Sequence, residues 1–210
     1  MARYRGPLEK LSRREGFNLY LKGERSYSEK SSAVKRNFAP GQHGHEQKKI
    51  TQYGLQLRAK QALKRIYGVL EKQFRRYFEE ATKKQGQRTD EVLMQILESR
   101  LDTVIYQMGF AVNRRTARQM VRHGHVLVNG KKVDIPSFRV KSEFVIEIKE
   151  GSRGIQQVRE GLELADSKRS IPEWLSVDKD QYKGTFIRMP KIEEMDVPVD
   201  VQAIIELYSK

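Results

Sequence analysis

The sequence predicts an α+β protein that is mainly helical, with a small antiparallel β-sheet in its second half. Apolar residues recur at helical spacing from about residue 51 to 84 and again from 91 to 108. An Asn-Gly pair at 129–130 marks a β-hairpin, and alternating residues at 143–148 predict a further strand. A chain of 210 residues has room for one or two domains.

The first 50 residues show the weakest helical or strand pattern. Glycine and serine are frequent there, and "APGQHG" at Ala39–Gly44 is a cluster of turn-forming residues. The segment is also strongly basic. We therefore expect an irregular arm, loosely ordered by itself, that an acidic partner orders.

Helices are expected to dominate the remainder of the first half. The helical region from about Thr51 to Lys84 should break or bend at Gly68. Its aromatic residues, in "KRIYG" and "FRRYFEE", stand at helical spacing, which favours a place in the core over stacking on bases. Glu91–Met108 is expected to form one amphipathic helix, closed by Gly109.

The second half begins with a predicted helix at 113–122, followed by the hairpin. Asn129-Gly130 predicts a two-residue type I′ turn, in a register that pairs Val126 with Val133. In that register Val126, Val128, Val133 and Ile135 share one apolar face. The remaining predicted elements are a strand at 143–148, a helix at 155–165, strand and loop pieces at 171–178 and 182–190, and a closing helix at 199–208.

The composition indicates a polyanionic partner. The formal net charge is +14, and residues 1–90 carry 22 lysines and arginines against 9 acids. Such a charge favours nucleic acid first and an acidic membrane surface second. The absence of cysteine excludes disulfides, thiolate metal sites and thiol nucleophiles. Because the chain shows no apolar run of ~18 residues and no signal-peptide pattern, we expect a cytosolic protein.

The clearest candidate site is "VNRRTARQMVRHGHVLVNGKK", from Val112 to Lys132. Four arginines fall within an arc of about 100° on a helix, beside a separate apolar stripe: Arg114, Arg115, Arg118 and Arg122. A guanidinium suits phosphate because it donates two parallel hydrogen bonds. No acid stands four residues from any of them, and the hairpin tip adds two lysines. The pattern favours a shallow basic groove for phosphates over an ordinary solvated helix face.

At these residues the sequence resembles the S-four-type RNA-binding domain. The pattern R-x-x-A-R-x-x-V-x-x-G-x-V-x-V-N-G runs from Arg114 to Gly130. Other segments resemble the bacterial-type small-subunit ribosomal protein S-four family: "MARYRGPLEKLSRREG", "APGQHG", "YGLQLRAKQALKRIYGVLEKQFRRYF", "LESRLDTVIYQMGF" and the terminal "ELYSK". The resemblance covers essentially the whole chain, in order.

The resemblance implies a structural constituent of the small ribosomal subunit that binds 16S-type ribosomal RNA at a multi-helix junction of the 5′ domain. It further implies a role in nucleating subunit assembly and in translational accuracy. Small-subunit ribosomal protein five would be a neighbour in the cytoplasmic subunit, and messenger RNA would enter nearby. The implied domains are a basic arm at 1–50, a helical domain at 51–90 completed by about 179–210, and an inserted S-four-type domain at 91–178.

The residues expected to contact RNA are basic side chains of the arm, of the first helical region and of the stretch from Val112 to Lys132. They are Arg3, Arg5, Arg13, Arg14, Lys48, Lys49, Arg58, Lys60, Lys64, Arg65, Arg114, Arg115, Arg118, Arg122, His123, Lys131 and Lys132. The segment after "APGQHG" is often arginine-rich in the family, whereas in this chain it offers His45, Lys48 and Lys49. Because lysine lacks the bidentate fork, we expect a weaker grip where messenger RNA enters.

A metal site is not expected. Many relatives hold zinc through an N-terminal cysteine cluster, which this chain lacks. Its histidines form two His-Gly-His pairs, at 43–45 and 123–125, in different predicted domains, and structural zinc sites normally use cysteine. We interpret these histidines as turn residues near RNA and expect no cofactor.

An RNA-modifying enzyme is a competing hypothesis. Arg100-Leu101-Asp102 matches the context of the catalytic aspartate in pseudouridine synthases that carry an S-four-type domain. In this chain the tripeptide lies within a predicted amphipathic helix and no small-residue turn follows it, so we expect no catalysis. A free-standing binder of structured RNA and a membrane-surface protein are two further hypotheses.

Overall fold

The computed structural model describes residues 3–46 and 49–209. The chain forms two compact units, Met1–Leu93 with Asp196–Lys210, and Met94–Met195. The first unit is helical, and the second combines helices with an antiparallel sheet, which confirms the predicted α+β class. In the described part of the chain, no helix is long and apolar enough to cross a membrane.

In the described part of the chain, seven helices precede the first strand. An eighth helix lies between the third and fourth strands, and a ninth follows the last strand. The helices are α1 (Leu8–Glu15), α2 (Ser32–Lys35), α3 (Gln52–Ile66), α4 (Glu71–Lys83), α5 (Thr89–Glu98), α6 (Leu101–Gln107), α7 (Arg114–Arg122), α8 (Gln156–Lys168) and α9 (Val201–Tyr208). The strands are β1 (Val126–Val128), β2 (Lys131–Lys132), β3 (Phe144–Ile148), β4 (Leu175–Asp178) and β5 (Lys183–Phe186). Short 3-10 turns occur at Gly23–Tyr27, Glu150–Ser152 and Ile192–Glu194.

Helix α3 begins and ends where the sequence predicts. The Thr51 hydroxyl accepts a hydrogen bond from the Gly54 N–H at 3.2 Å, which caps the first turn. The chain leaves the helix before Gly68, whose φ of +61° suits glycine. Two of the leucines at helical spacing in the predicted region 51–84, Leu55 of α3 and Leu70 before α4, are nevertheless exposed. Helical spacing alone does not show how wide the covered face is.

Aromatic side chains form the core of the first unit. Phe74, Tyr77 and Phe78 of α4 are buried, which confirms the prediction that they serve the core. Helix α9 packs against α3, and the Tyr208 ring lies 4.5 Å from the Phe78 ring. Aromatic burial of this kind is a large part of a small domain's stability.

The basic arm is more regular than predicted, because α1, α2 and a 3-10 turn occupy much of residues 8–35. The Glu9 carboxylate of α1 accepts hydrogen bonds from the Ser32 N–H at 2.9 Å and from its hydroxyl, at the start of α2. Ser12 of α1 is buried. The bonds between Glu9 and Ser32 join residues 23 positions apart, so a local sequence pattern does not reveal them.

The helix predicted over 91–108 is two helices, and this prediction was wrong. Arg100 separates α5 from α6, and its extended backbone (φ −67°, ψ 135°) cannot continue a helix. The segment near residue 139 pairs with this break: Arg100 forms a bridge with Arg139, and the Val140 N–H donates to the Ser99 carbonyl at 2.8 Å. A partner distant in sequence therefore interrupts an otherwise amphipathic helix.

The hairpin has the predicted turn and register. Asn129 and Gly130 both have positive φ, 49° and 75°, as a type I′ turn requires. Leu127 faces Lys132, and the Val133 N–H donates to the Val126 carbonyl at 3.4 Å. The predicted apolar face is too long, however, because Ile135 is 50% exposed beyond the end of β2.

Within the described residues the strands form one antiparallel sheet in the order β2-β1-β3-β5-β4. Residues 179–195, which the family resemblance implied would complete the helical domain, lie in the second unit. They do so because β5 pairs with both β3 and β4, with Ile146 opposite Gly184. The structural division therefore falls after Met195.

Candidate nucleic-acid interface

Helix α7 carries the predicted arginines and is capped by its own sequence. The Asn113 side chain accepts a hydrogen bond from the Thr116 N–H at 2.9 Å, at the first turn. Ala117, Met120 and Val121 are buried and hold one face of the helix against the unit. The arginines occupy the neighbouring faces, as the helical spacing predicted.

One edge of the arginine stripe is paired with acids. Arg118 Nη1 lies 3.2 Å from Asp102 Oδ2, and Asp102 also receives two hydrogen bonds from Arg100, at 3.0 and 2.7 Å. Arg114 Nη2 lies 3.8 Å from Glu98 Oε1, and its guanidinium covers the Tyr106 ring at 4.5 Å. The Asp102 side chain is only 4% exposed and that of Arg118 only 12%. These acids come from α5 and α6, so a search at four-residue spacing along α7 does not find them.

The same geometry bears on the enzyme hypothesis. The Asp102 carboxylate is buried between the guanidinium groups of Arg100 and Arg118. A catalytic carboxylate must reach its substrate, whereas this one already accepts from two cations. Asp102 therefore has a structural role in holding α6 to α7.

The other edge of the stripe is exposed. Arg115, Arg122 and His123 are all exposed. Within residues 3–46 and 49–209, neither of these two arginines forms an ion pair with a carboxylate. On the helix they lie about 80–100° from Arg114, whereas Arg118 lies only about 40° from it. Helical rotation thus divides the predicted stripe into a structural edge and a solvent edge.

The hairpin tip extends this exposed edge. Lys131 and Lys132 are exposed, and the Asn129 side chain fixes the turn by accepting from the Val145 N–H at 2.8 Å. Gly124 has a φ of +73°, and a Cβ at this position would meet the Lys132 side chain, 2.9 Å from its Nζ. The Lys132 side chain therefore lies beside the end of α7. We call the set Arg115, Arg122, His123, Lys131 and Lys132 the α7–hairpin surface.

In the first unit, the predicted cations of α3 also meet acids. Arg58 and Arg65 both pair with Glu15, whose side chain is fully buried. Burial, and then the charge of Arg14, lowers the pKa of Arg58, while burial is the main cause that lowers the pKa of Arg65. Both side chains are less than half exposed, so their first role is to hold α3 to the end of α1.

Lys60 and Lys64 pair with Glu71 at the start of α4. Burial raises the pKa of Glu71, but hydrogen bonds from Lys64, Tyr208 and Lys60 outweigh it and lower the pKa to about 2. Burial and the bond to Glu71 raise the pKa of Tyr208. The two lysine side chains are mostly covered, which differs from the free phosphate contacts that the sequence predicted.

The cations of the arm are divided in a similar way. Arg3, Arg5 and Arg14 are exposed, as is Lys49. Arg13 lies over the Phe38 ring at 4.7 Å and donates to the Phe38 carbonyl at 3.1 Å. Lys48, also predicted to contact RNA, lies outside the described residues. Sequence reasoning did not select Lys10, Lys35 and Arg36, which are also exposed.

The histidine pairs occupy two separate turns. The His45 ring packs on Phe38 at 3.8 Å, and His43 contacts Glu46. The rings of His123 and His125 lie 5.9 Å apart. In the parts of the chain that the structure describes, no group of three or more histidines or acids is placed to hold a metal ion.

Comparison with known proteins gives the family. The model of the Ribosomal protein S4/S9 N-terminal domain matches residues 3–98, and that of the S4 domain matches residues 99–146. The small ribosomal subunit protein uS4 of Petrotoga mobilis is 68% identical over 211 residues, covering 100% of each chain. Those of Fervidobacterium nodosum and Thermosipho africanus are 62% and 60% identical, again over 100% of each chain. The chain therefore belongs to the uS4 family of small ribosomal subunit proteins.

Proposed function

We propose that this chain is a structural, non-catalytic constituent of the small ribosomal subunit that binds ribosomal RNA mainly through phosphate contacts. Its relatives are named as proteins of that subunit, and residues 99–146 match the S4 domain. The observation that carries the RNA-binding proposal is the α7–hairpin surface. It combines five exposed basic or titratable side chains from two elements with fixed local geometry.

This surface suits a nucleic-acid backbone better than a base sequence. Arg115 and Arg122 can each donate bidentate hydrogen bonds to a phosphate, and Lys131 and Lys132 add point charges at the tip. Phosphate contacts position a protein on RNA without reading sequence. Selectivity would then come from the shape of the RNA, as is usual for folded RNA targets.

The arginines that pair with acids hold α7 in place under the α7–hairpin surface. Arg114 and Arg118 hold α7 on α5 and α6 through Glu98 and Asp102. A rigid α7 keeps the exposed arginines at a constant spacing, which lowers the entropy lost on binding. We thus assign Arg114 and Arg118 a positioning role and Arg115 and Arg122 a contact role.

The arm supplies a second cationic area. Arg3, Arg5 and Arg14 are exposed in the first unit. The ion pairs of Arg58 and Arg65 with Glu15 leave this region positively charged. One buried carboxylate faces two guanidinium groups, and Arg14 lies nearby. Such an area would add phosphate contacts that increase both affinity and salt dependence.

The finer role follows the family resemblance. We infer that the RNA site is a multi-helix junction of the 5′ domain, that binding there nucleates subunit assembly, and that the protein contributes to translational accuracy in the cytoplasm. Small-subunit ribosomal protein five and messenger RNA would be its neighbours. What supports these points is the full-length similarity to uS4 proteins.

The experiment is filter binding to a 5′-domain fragment of small-subunit ribosomal RNA over a range of salt concentrations. If about ten phosphates are contacted, the plot of log affinity against log salt should have a slope near −7 to −9. Arg115→Ala and Arg122→Ala should each make the slope less steep by about 0.7–0.9. Lys168→Ala, which removes an exposed cation at the end of α8, is the matched control. A flat salt response would contradict the proposal.

A further inference from the structure

A pocket of about 480 Å³ lies between the end of α7 and the start of α8, within the second unit. One wall comprises Gln119, Met120, His123 and His125, and the other includes Gln157 and Glu160. This volume is typical of sites that hold a small molecule. We call it the α7–α8 pocket.

We propose that the α7–α8 pocket holds one unstacked nucleobase of the bound RNA, with guanine preferred. The inference rests on the proposed function, because it takes RNA to lie on the α7–hairpin surface. His123 belongs to both features: it is exposed beside Arg122 and it lines the pocket. A strand whose phosphate contacts Arg122 therefore brings its base to the mouth of the pocket.

Apolar groups give the pocket a surface for the faces of a base. Met120 is 2% exposed and Ile155 is half-buried, and both line the cavity. The His123 imidazole stands at the rim, where it can stack. RNA-binding proteins commonly hold splayed bases between apolar or aromatic side chains of this kind.

The polar groups of the α7–α8 pocket match the Watson–Crick edge of guanine. The Glu160 carboxylate, which lines the pocket, accepts from Gln156 Nε2 at 2.7 Å through one oxygen, and its second oxygen can accept a further hydrogen bond. The Watson–Crick edge of guanine offers two adjacent N–H donors beside a carbonyl, so it suits a carboxylate next to an amide donor such as Gln157. The negative charge of Glu160 disfavours a phosphate in the same place.

His125 adds hydrogen bonding without adding charge. Its Nδ1 lies 2.9 Å from the Ser152 hydroxyl. Burial, followed by the charges of His123 and Lys149, lowers the pKa of His125, which favours its neutral ring. A lining that carries no positive charge from His125 suits an uncharged base more than a second phosphate.

The first test fills the pocket. Gln157→Trp places a large side chain at an exposed, pocket-lining position of α8, and Ser167→Trp places the same side chain on α8 away from the pocket. Binding of the full chain to the 5′-domain RNA should weaken about ten-fold in Gln157→Trp, the usual effect of losing one stacked base. The salt slope should stay at the wild-type value, because no phosphate contact is lost. Ser167→Trp should bind like the wild type.

The second test compares two nucleotides on the unmodified chain, so it decides the inference even if Gln157→Trp does not fold; Glu160→Gln then tests the guanine contact. Guanosine monophosphate should shift the methyl NMR resonance of Met120 at lower concentration than adenosine monophosphate, and Glu160→Gln should remove the difference. Equal or absent shifts with both nucleotides would overturn the inference.

The two proposals fail in different ways. If Gln157→Trp binds RNA normally while Arg122→Ala weakens binding, the pocket inference is wrong and the phosphate surface stands. If the wild-type chain binds the RNA fragment without salt dependence, the proposed function itself is wrong.

Discussion

Replacing Arg118 with alanine should destabilise the protein more than it weakens RNA binding, and replacing Arg122 should do the reverse. The sequence pattern predicts the same effect for both, since both belong to one arginine stripe. The structure separates them. Arg118 is bound to the buried Asp102, whereas Arg122 is exposed.

The loss in the free energy of unfolding for each variant follows from the partners that remain after the change. Without Arg118, Asp102 keeps its two hydrogen bonds to Arg100, at 3.0 and 2.7 Å, so its charge is still compensated. The loss includes one hydrogen bond between charged groups, about 2 kcal/mol, and is smaller than the loss of a whole buried pair. For a chain of this size, that lowers the melting temperature by roughly 4–8 °C. Arg122→Ala should change the free energy of unfolding by less than about 0.5 kcal/mol.

The assay pairs thermal unfolding, followed by circular dichroism, with filter binding well below the melting temperature. Arg118→Ala should melt earlier and keep the wild-type salt slope, while Arg122→Ala should melt normally and make the slope less steep by about 0.7–0.9. Asp102→Asn should lower the free energy of unfolding more than Arg118→Ala does, because it leaves two guanidinium groups without their carboxylate.

One result would refute this reasoning. If Arg118→Ala melts like the wild type and flattens the salt dependence as much as Arg122→Ala, then Arg118 contacts RNA and its pair with Asp102 adds nothing to stability. The stripe would then act as a single surface, as the helical spacing alone suggested.

Three further predictions concern other parts of the chain. Glu15→Gln should lower the free energy of unfolding by about 3 kcal/mol in urea titrations, because Arg58 and Arg65 lose their shared buried carboxylate; an unchanged midpoint would contradict this. Gly130→Ala should cost about 1 kcal/mol from its φ of +75° alone, since a Cβ there meets no neighbour, and hydrogen exchange at the hairpin should rise. Glu71→Gln should lower the free energy of unfolding by about 1 kcal/mol at pH 7. The effect is this small because solvent screens the charge of this exposed group. Because the pKa of Glu71 is lowered from 4.5 to about 2 in the folded state, this loss of stability should be complete well above pH 4.5, shrink below pH 4.5 and vanish as the pH falls through 2. Melting curves that differ as much at pH 2 as at pH 7 would count against it.

Much of the fold could be predicted from local patterns. The helices α3, α4, α7, α8 and α9 and the strand β3 follow from periodicity, and the type I′ turn follows from Asn129-Gly130, because these signals act over a few residues. The helix at Leu8–Glu15 and the break at Arg100 could not be predicted in this way. Both depend on contacts with distant segments, Ser32 in one case and residues 139–140 in the other.

The candidate site shows the same division. Net charge, the arginine spacing and the hairpin lysines predicted a cationic surface on α7 and β2, because charge and helical angle are properties of the sequence itself. Which arginines remain available to a phosphate was decided by the tertiary structure. Glu98 and Asp102 reach α7 only after α5 and α6 pack beside it, and Glu15 and Glu71 likewise take up the cations of α3. The sequence by itself determined the family, the element types and the sign of the surface; the packing determined which charges neutralise one another and which remain exposed to solvent, because a buried charge must be paired and an exposed one need not be.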